Sequence, residues 1–245
     1  MVAFRNLGDL IRRDCDLSKV AIVDLGGVKV PREFTYTQLD AMAMGTAGFT
    51  AALAIERMEV NGLLPGNGRI AVTGATGGVG SVAIDLLAGL GYQVTAITGK
   101  DSEHDFLRRL GASEVISRHT LEMGKRPLEK ALWAGAVDSV GGEPLAWLTR
   151  TMQQNGSIAS CGLTAGIELN TTVMPFILRG ANLLGIDSVH CAMPLRQRIW
   201  QRLASDMKPR HQTDSTEIIP FTQLPDIFPR FLNASSKGRV VVKIG

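Results

Sequence analysis

One glycine-rich segment, set between a buried strand and a helix, limits this chain more than any other feature does. Residues 70–74 read IAVTG, a β-branched run typical of a buried strand, and residues 81–90 carry apolar side chains at helical spacing. Between these runs lie glycines 74, 77, 78 and 80. Such glycines permit a tight turn and a close approach to a helix N-terminus, where backbone N–H groups bind phosphate. The segment predicts a dinucleotide site; the alternative is a turn that serves only packing.

The same strand–helix cycle recurs along the chain. Strands are predicted at 70–74, 92–98, 113–117, 135–140, 157–163 and 182–189. Helices are predicted at 81–90, 102–110, 127–134, 144–154, 172–179 and 195–206. Six strands separated by helices predict an α/β fold, a doubly wound six-stranded parallel sheet of the Rossmann type with helices on both faces.

Composition and charge exclude several classes of function. The chain has 245 residues and a net charge of +3, without the interleaved aromatic and basic residues of single-stranded nucleic-acid surfaces, so nucleic acid is not an expected partner. No apolar run approaches the length of a membrane span, and charged residues interrupt the start, so we expect neither a membrane protein nor a secreted one. Cys15, Cys161 and Cys191 form no Cys-x-x-Cys pair, which predicts no metal site and favours the cytoplasm.

The tip of the second predicted strand favours NADPH over NADH. Thr98-Gly99-Lys100 stands where an NAD enzyme places an acidic residue for the ribose 2′-hydroxyl. A hydroxyl and an ammonium would instead bind a 2′-phosphate. Arg118, just past the third strand, is a second candidate for that phosphate. The alternative is that Lys100 is a solvated loop cation.

Several blocks of the sequence together resemble one family. They are GTAGFTAALAIERM (45–58), VTGATGGVGSVAIDLLAGLGYQV (72–94), PLEKALWAGAVDSVGG (127–142), ASCGLTAG (159–166), TTVMPFILRG (171–180) and LLGIDSV (183–189). Over residues 41–245 the chain resembles the quinone-oxidoreductase-like branch of the medium-chain dehydrogenase/reductases, and within it the acrylyl-CoA reductases. The resemblance implies a zinc-free, NADPH-dependent oxidoreductase. Its small-molecule substrate would be an α,β-unsaturated acyl-CoA, reduced at the C=C bond, or a quinone-like carbonyl compound.

The resemblance also implies a set of cofactor-binding residues but identifies no catalytic side chain. Glycines 77 and 78 with Val79 would bind the pyrophosphate, and the residues after the last two strands would line the nicotinamide side. For Leu163 and Phe176 the alternative is packing in the core. The complete set is Thr46, Thr50, Thr76, Gly77, Gly78, Val79, Thr98, Gly99, Lys100, Arg118, Gly162, Leu163, Thr164, Phe176, Asp187, Ser188 and Arg239.

The first 40 residues depart from this family and resemble the opening of an adenylate-forming acyl-CoA ligase. The Lys-bearing nucleotide loop of a ligase does not follow, so ligase activity is not expected. The predicted organisation is a ligase-like leader remnant at 1–40, a dinucleotide-binding domain at 41–210, and the return segment of a truncated substrate domain at 211–245. The last strand of the chain is predicted to join a separate small sheet or the edge of a sheet. With most of the substrate pocket expected to be missing, we expect weak or no reductase activity and a homo-oligomer formed through exposed apolar surface. The alternative function is a non-catalytic NADPH-binding module or fusion remnant.

Overall fold

The computed structural model describes residues 20–24, 32–35, 44–212, 214–233 and 235–243. In these ranges strands β1 to β10 span Val20–Asp24, Arg32–Thr35, Arg69–Thr73, Gln93–Thr98, Glu114–Ser117, Trp133–Asp138, Met152–Ser160, Asn182–Gly185, Thr216–Pro220 and Arg239–Lys243. Helices α1 to α7 span Gly45–Val60, Gly78–Gly89, His104–Arg109, Gly142–Thr151, Met174–Arg179, Met193–Ala204 and Leu224–Leu232. Short 3-10 turns precede α3 and α7 at Asp101–Glu103 and Phe221–Gln223.

Six strands form one parallel sheet in the order β5-β4-β3-β6-β7-β8, so the predicted doubly wound fold is confirmed. The chain proceeds outward from β3 to β5, then returns and continues in the opposite direction from β6 to β8. This reversal lies between β3 and β6, where Ile70 is in register with Gly135. In open α/β sheets the ligand crevice lies at the carboxyl ends of the strands beside this reversal. The glycine-rich segment follows β3 and lies there.

Apolar residues on both faces of the sheet explain why it is buried between two layers of helices. Ile70 and Val72 belong to a core cluster with residues of α1, α2 and α6, whereas Ala71 belongs to a second cluster on the other face. The alternation follows from the two-residue period of a strand. In the second cluster Trp133 and Trp147 meet edge to face, with ring centroids 6.0 Å apart. The sheet therefore gives the crevice a rigid floor.

The helix predicted over residues 127–134 does not form. Its backbone N–H groups are bound by a different part of the chain: Glu129 donates to the carbonyl of Arg150 over 2.9 Å, and Leu132 donates to that of Thr151 over 2.8 Å. Trp133 already begins β6. Hydrogen bonds to the end of α4 thus replace the bonds that a helix would make within the segment.

Other predicted boundaries shift for local reasons. The helix predicted over 144–154 is Gly142–Thr151, because Met152 enters β7 and pairs with Trp133. The strand predicted over 182–189 ends at Gly185. Beyond it the carboxylate of Asp187 accepts the backbone N–H groups of Val189 and His190 over 2.9 and 3.0 Å, which makes a turn.

The end of the chain forms a unit of its own. β9 and β10 are a two-stranded parallel sheet, with Thr216 in register with Arg239, as expected of a last strand outside the main sheet. The buried carboxylate of Asp85 on α2 accepts the backbone N–H groups of Arg210 and His211, each over 2.9 Å, and so fixes the chain just before this unit. In the described part of the chain no helix is both long and apolar enough to cross a membrane.

β1 and β2 pair antiparallel as a separate two-stranded sheet. Most of the predicted leader at 1–40, with Cys15, lies outside the described residues. The domain boundaries at residues 40 and 210 stay predictions.

Candidate functional site

The carboxyl edge of the six-stranded sheet is where most of the predicted site residues lie. Since parallel strands end at the same edge, residues that follow different strands there face one crevice. Thr76 to Val79 follow β3, Thr98 to Lys100 end and follow β4, Arg118 follows β5, Gly162 to Thr164 follow β7, and Asp187 and Ser188 follow β8.

The loop between β3 and α2 has room for glycine alone at two positions. Gly74 has a φ of +59°, and a Cβ there would collide with the side chain of Ser139. A Cβ at Gly80 would lie 2.9 Å from Cα of Ala75 and collide with the carbonyl oxygen of Gly74. Gly77 precedes α2, whose first turn has neither a capping side chain nor an acidic residue. No side chain therefore caps this helix N-terminus, and its partial positive charge is not offset by an acidic residue of its first turn.

A half-buried guanidinium lies against this loop. Cγ of Arg239 is 3.8 Å from the position that a Cβ would take at Gly78, and Nη2 is 2.9 Å from the same position at Gly45, the first residue of α1. Burial lowers the pKa of Arg239, and no carboxylate among the described residues pairs with it. An unpaired, partly desolvated cation beside two helix N-termini attracts an anion strongly.

Backbone contacts hold Arg239 in place. The N–H of Gly238 donates to the carbonyl of Thr76 in the glycine loop over 2.9 Å, and the N–H of Arg239 donates to that of Ser215 over 2.8 Å. Gly238 has a φ of +58°, which favours glycine. The last strand is thus attached directly to the loop after β3.

The start of α1 also lies beside the loop. The Cβ of Ala47 is 3.6 Å from the Cβ position at Gly78. Thr46 is exposed, whereas Thr50 is buried and donates its hydroxyl hydrogen to the carbonyl of Thr46 over 2.7 Å. Of these two predicted residues, only Thr46 has its side chain at the surface.

The tips of β4 and β5 bring together the residues predicted to bind a 2′-phosphate. The guanidinium carbon of Arg118 is 2.9 Å from the Cβ position at Gly99, so this side chain crosses the glycine. The backbone N–H of Lys100 donates to the hydroxyl of Thr98 over 3.0 Å, and its ammonium donates to the carbonyl of Ser236. Burial lowers the pKa of Lys100. Lys100 is therefore held in the structure and is not a freely solvated cation.

Of the predicted site residues after β7, some are exposed at the surface and others are packed against the protein. Gly162 lies against the backbone of Ser139, where a Cβ would collide. Leu163 is 64% exposed, so the alternative that it packs in the core is wrong. Thr164 is exposed beside it. Phe176, on α5, is half-buried against the second core cluster, which favours packing for this residue.

The predicted site residues after β8, Asp187 and Ser188, form hydrogen bonds within and next to the turn at 187–190. The carboxylate of Asp187 lies 2.8 Å from Nδ1 of His190, and its hydrogen bonds lower its pKa. The carbonyl of Ser188 accepts Nη2 of Arg196 over 2.8 Å. The guanidinium of Arg196 also lies over the ring of Phe49, 4.7 Å from its centroid, and so links this turn to α1.

A buried carboxyl group that the sequence analysis did not select joins β3 to β6. Asp138 accepts the hydroxyl of Thr73 over 2.7 Å and the N–H of Gly141 over 2.9 Å. Burial raises its pKa, while these hydrogen bonds oppose the rise. The group fixes the two strand ends that flank the reversal of strand order. Its only sequence signal is its place before two glycines in DSVGG.

The thiol next to this group is inert. Sγ of Cys161 donates to the carbonyl of Asp138 over 3.3 Å, and burial, followed by the negative charge of Asp138, raises the pKa of the thiol to about 12. A thiol with this pKa is almost entirely protonated at neutral pH and is a poor nucleophile.

Lys237 is a second site residue that the sequence analysis missed. Nζ of Lys237 lies 3.0 Å from a carboxylate oxygen of Glu103 and 4.9 Å from the ring centroid of Phe106. The run Lys-Gly-Arg at 237–239 is the signal that could have indicated it.

Known proteins resemble this chain in sequence and in fold. A family model described as zinc-binding dehydrogenase matches residues 78–205. The Bacillus subtilis protein YhfP is 47% identical over 236 residues, which are 96% of this chain and 71% of that protein. The alignment therefore extends into the first 40 residues. The crystal structure of YhfP with NAD bound has a TM-score of 0.80 at 48% identity, over 83% of this chain and 63% of that one.

Two further relatives are similar. AcuI of Ruegeria pomeroyi, an acrylyl-CoA reductase, is 47% identical over 205 residues, which are 83% of this chain and 62% of that protein. The crystal structure of Escherichia coli YhdH with bound NADPH has a TM-score of 0.79 at 46% identity, over 84% of this chain and 63% of that one. This chain spans between 62% and 71% of the length of these relatives.

Proposed function

Because this chain belongs to the zinc-binding dehydrogenase family, we propose that it binds NADPH at the carboxyl edge of its sheet and serves in the reduction of a small molecule. It falls in the quinone-oxidoreductase and acrylyl-CoA reductase branch of the medium-chain dehydrogenase/reductases, as the sequence predicts. Within the described ranges no three His, Cys, Asp or Glu side chains are grouped to hold a metal ion. The described residues therefore do not fit a zinc centre.

The observation that carries the proposal is the guanidinium of Arg239 at the glycine loop, which pairs with no carboxylate among the described residues. Its short distances to the Cβ positions at Gly45 and Gly78 support its use for a pyrophosphate at the N-terminus of α2. The N–H of Gly77 donates to the carbonyl of Gly74 over 2.9 Å, so the predicted use of this group for the pyrophosphate is not supported. The N–H groups of Gly78 and Val79 would bind the pyrophosphate oxygens, and Arg239 would supply the counter-charge. A dinucleotide would thus neutralise a cation that the described residues leave unpaired.

NADPH is favoured over NADH by the residues at the tips of β4 and β5. Thr98, Lys100 and Arg118 would bind the 2′-phosphate as a hydroxyl and two cations. An acidic residue that would bind a ribose 2′-hydroxyl does not occupy positions 98–100. E. coli YhdH, 46% identical to this chain, has been crystallised with NADPH, whereas YhfP has been crystallised with NAD.

The substrate is proposed from the relatives. When bound, NADPH supplies a hydride to an electron-poor carbon. AcuI is named as an acrylyl-CoA reductase and YhfP as a quinone oxidoreductase, which supports an α,β-unsaturated acyl-CoA or a quinone-like carbonyl compound as the acceptor. The exposed backbone and side chains of Leu163 and Thr164 would border the nicotinamide and the acceptor. Asp138 would hold the strand ends beneath them by its bonds to Thr73 and Gly141.

Replacement of Arg239 tests the binding site. We expect wild-type protein to bind NADPH with micromolar affinity by calorimetry, and Arg239→Gln to bind at least about tenfold more weakly, since a hydrogen-bonded charge pair contributes ~1.5–3 kcal/mol. Arg57→Gln is the matched control, because Arg57 is exposed and lies about 18 Å along α1 from Gly45. Equal affinity of all three proteins would remove Arg239 from the site.

Turnover is tested separately. Loss of the nicotinamide absorbance at 340 nm is followed with acrylyl-CoA and with a benzoquinone at saturating NADPH (about ten times Kd). Substrate-dependent loss supports the reductase, whereas tight binding without turnover favours the non-catalytic NADPH-binding module. Light scattering on the same sample tests the proposed homo-oligomer, and a cytoplasmic location stays a prediction.

A further inference from the structure

One segment near the end of the chain lies across the carboxyl ends of β4 and β3. We name residues 235–239 the C-terminal strap. At its start the N–H of Ser235 donates to the carbonyl of Arg230, at the end of α7, over 2.8 Å. The carbonyl of Ser236 accepts the ammonium of Lys100, and the N–H of Gly238 donates to Thr76. The strap therefore runs from the tip of β4 to the glycine loop.

The strap brings a second lysine to the tip of β4. The ammonium of Lys237 lies 3.0 Å from a carboxylate oxygen of Glu103 and 4.9 Å from the ring centroid of Phe106. Its charge and that of Lys100 are close enough that Lys237 contributes to the lowered pKa of Lys100, although burial is the larger cause. Two ammonium groups and the carboxylate of Glu103 are thus gathered near Gly99, which the side chain of Arg118 crosses.

This cluster has an excess of positive charge. Glu103 is the carboxylate that acts on both lysines, since it pairs with Lys237 and raises the pKa of Lys100. Asp101, next to Lys100 and in the same 3-10 turn as Glu103, lies 3.6 Å from Nε2 of His104. Even with Asp101 counted, two carboxylates do not neutralise two lysines and Arg118. A phosphate dianion would compensate the excess and would compete with Glu103 for Lys237.

We propose that Lys237 is a specificity-determining residue that binds the 2′-phosphate of NADPH, and that Glu103 holds its ammonium until the phosphate replaces the carboxylate. This proposal rests on the proposed function. It gives the C-terminal strap two parts in cofactor binding, since Arg239 serves the pyrophosphate and Lys237, two residues earlier, serves the 2′-phosphate. NADH carries no 2′-phosphate and gains nothing from Lys237.

The test uses fragments that isolate the 2′-phosphate. Wild-type protein and Lys237→Gln are titrated by calorimetry with 2′,5′-ADP and with 5′-AMP. For the variant we expect about fivefold weaker binding of 2′,5′-ADP, as for the loss of one half-exposed ion pair, with unchanged binding of 5′-AMP. Lys237→Arg should restore most of the loss. Lys130→Gln is the matched control, because Lys130 is exposed and precedes β6 at the opposite edge of the sheet.

For a second variant we expect the opposite change in affinity for 2′,5′-ADP. Glu103→Gln removes the competing carboxylate and its repulsion of the phosphate, so it should bind 2′,5′-ADP more tightly than wild type, by about two- to fivefold. In the Lys237→Gln background, Glu103→Gln should change the affinity less, because there is no longer a Lys237 ammonium to be released from Glu103. These variants leave the glycine loop and Arg239 unchanged.

The outcomes separate this proposal from the proposed function. If wild type prefers NADPH and Lys237→Gln binds 2′,5′-ADP as wild type does, the role of Lys237 is refuted and the NADPH site stands. If Lys237→Gln weakens 2′,5′-ADP and 5′-AMP equally, Lys237 acts on the fold of the strap and the proposal is wrong. If wild type binds neither NADPH nor 2′,5′-ADP, both proposals fail.

Discussion

Two glycines of the loop between β3 and α2 differ in the space around them, so the same substitution should have different consequences. At Gly80 a Cβ would lie 2.9 Å from Cα of Ala75 and 3.0 Å from the carbonyl carbon of Gly74, and would collide with its oxygen. These are backbone atoms of the turn itself. At Gly78 the nearest atoms, the Cβ of Ala47 and the carbonyl oxygen of Gly238, are 3.6 Å away, which is ordinary contact.

The magnitude follows from these distances. Both residues belong to α2, so replacement by alanine gains up to ~1 kcal/mol of helix propensity at either position. Only at Gly80 must the turn shift, and such overpacking costs ~1–3 kcal/mol. Gly80→Ala should therefore be less stable than Gly78→Ala by about 2 kcal/mol, or roughly 4–8 °C in Tm for a chain of this size.

Gly78→Ala should keep its stability but lose affinity for NADPH. The new methyl group of Gly78→Ala would lie between the start of α1 and Arg239, where we place the pyrophosphate, so this stable variant should bind NADPH at least about tenfold more weakly. Urea unfolding followed by circular dichroism measures the stability difference, and calorimetry measures the affinity. Equal unfolding midpoints would refute the steric reasoning. Wild-type affinity in Gly78→Ala would refute the placement of the pyrophosphate.

Two further predictions concern the floor of the crevice. Asp138→Asn has only one acceptor oxygen, so the hydroxyl of Thr73 or the N–H of Gly141 loses its partner; we expect a loss of about 1–3 kcal/mol in the free energy of unfolding by urea, and no loss would contradict the role of this carboxyl group. Cys161, whose pKa is raised by burial from 9.0 to about 12, should react with iodoacetamide at pH 8 about a thousandfold more slowly than an unperturbed thiol, as followed by mass spectrometry of its peptide; labelling of Cys161 as fast as that of Cys191 would contradict the burial.

The sequence predicted those parts of the fold that are determined locally. The strand over 70–74, the glycines and the helix after them are contiguous, and each favours the same turn. The helix expected over 127–134 failed because its N–H groups bind carbonyls at Arg150 and Thr151, about twenty residues further along the chain. Helical spacing carries no information about such distant partners.

The candidate site shows the same division. Residues that directly follow strands, such as Lys100, could be found because the ends of parallel strands share an edge. Lys237 could not be found in this way, because it reaches the tip of β4 through the separate sheet of β9 and β10. The role of Asp138 could not be predicted for a different reason. A carboxylate at the end of an apolar strand is usually taken to be exposed to solvent, and only the structure shows its hydrogen bonds to Thr73 and Gly141. For Leu163 the error is the opposite one, since a branched apolar residue suggests packing in the core but this side chain is exposed.

Calorimetric titration of the wild-type chain with NADPH and then with NADH tests the central claim most directly. Arg239, which no described carboxylate pairs with, and the cations at the tips of β4 and β5 predict micromolar binding that favours NADPH by at least about 1.4 kcal/mol, a tenfold ratio. Absence of heat with both dinucleotides would contradict the cofactor site itself. Equal affinity for both would contradict the assignment of Lys100, Arg118 and Lys237 to a 2′-phosphate.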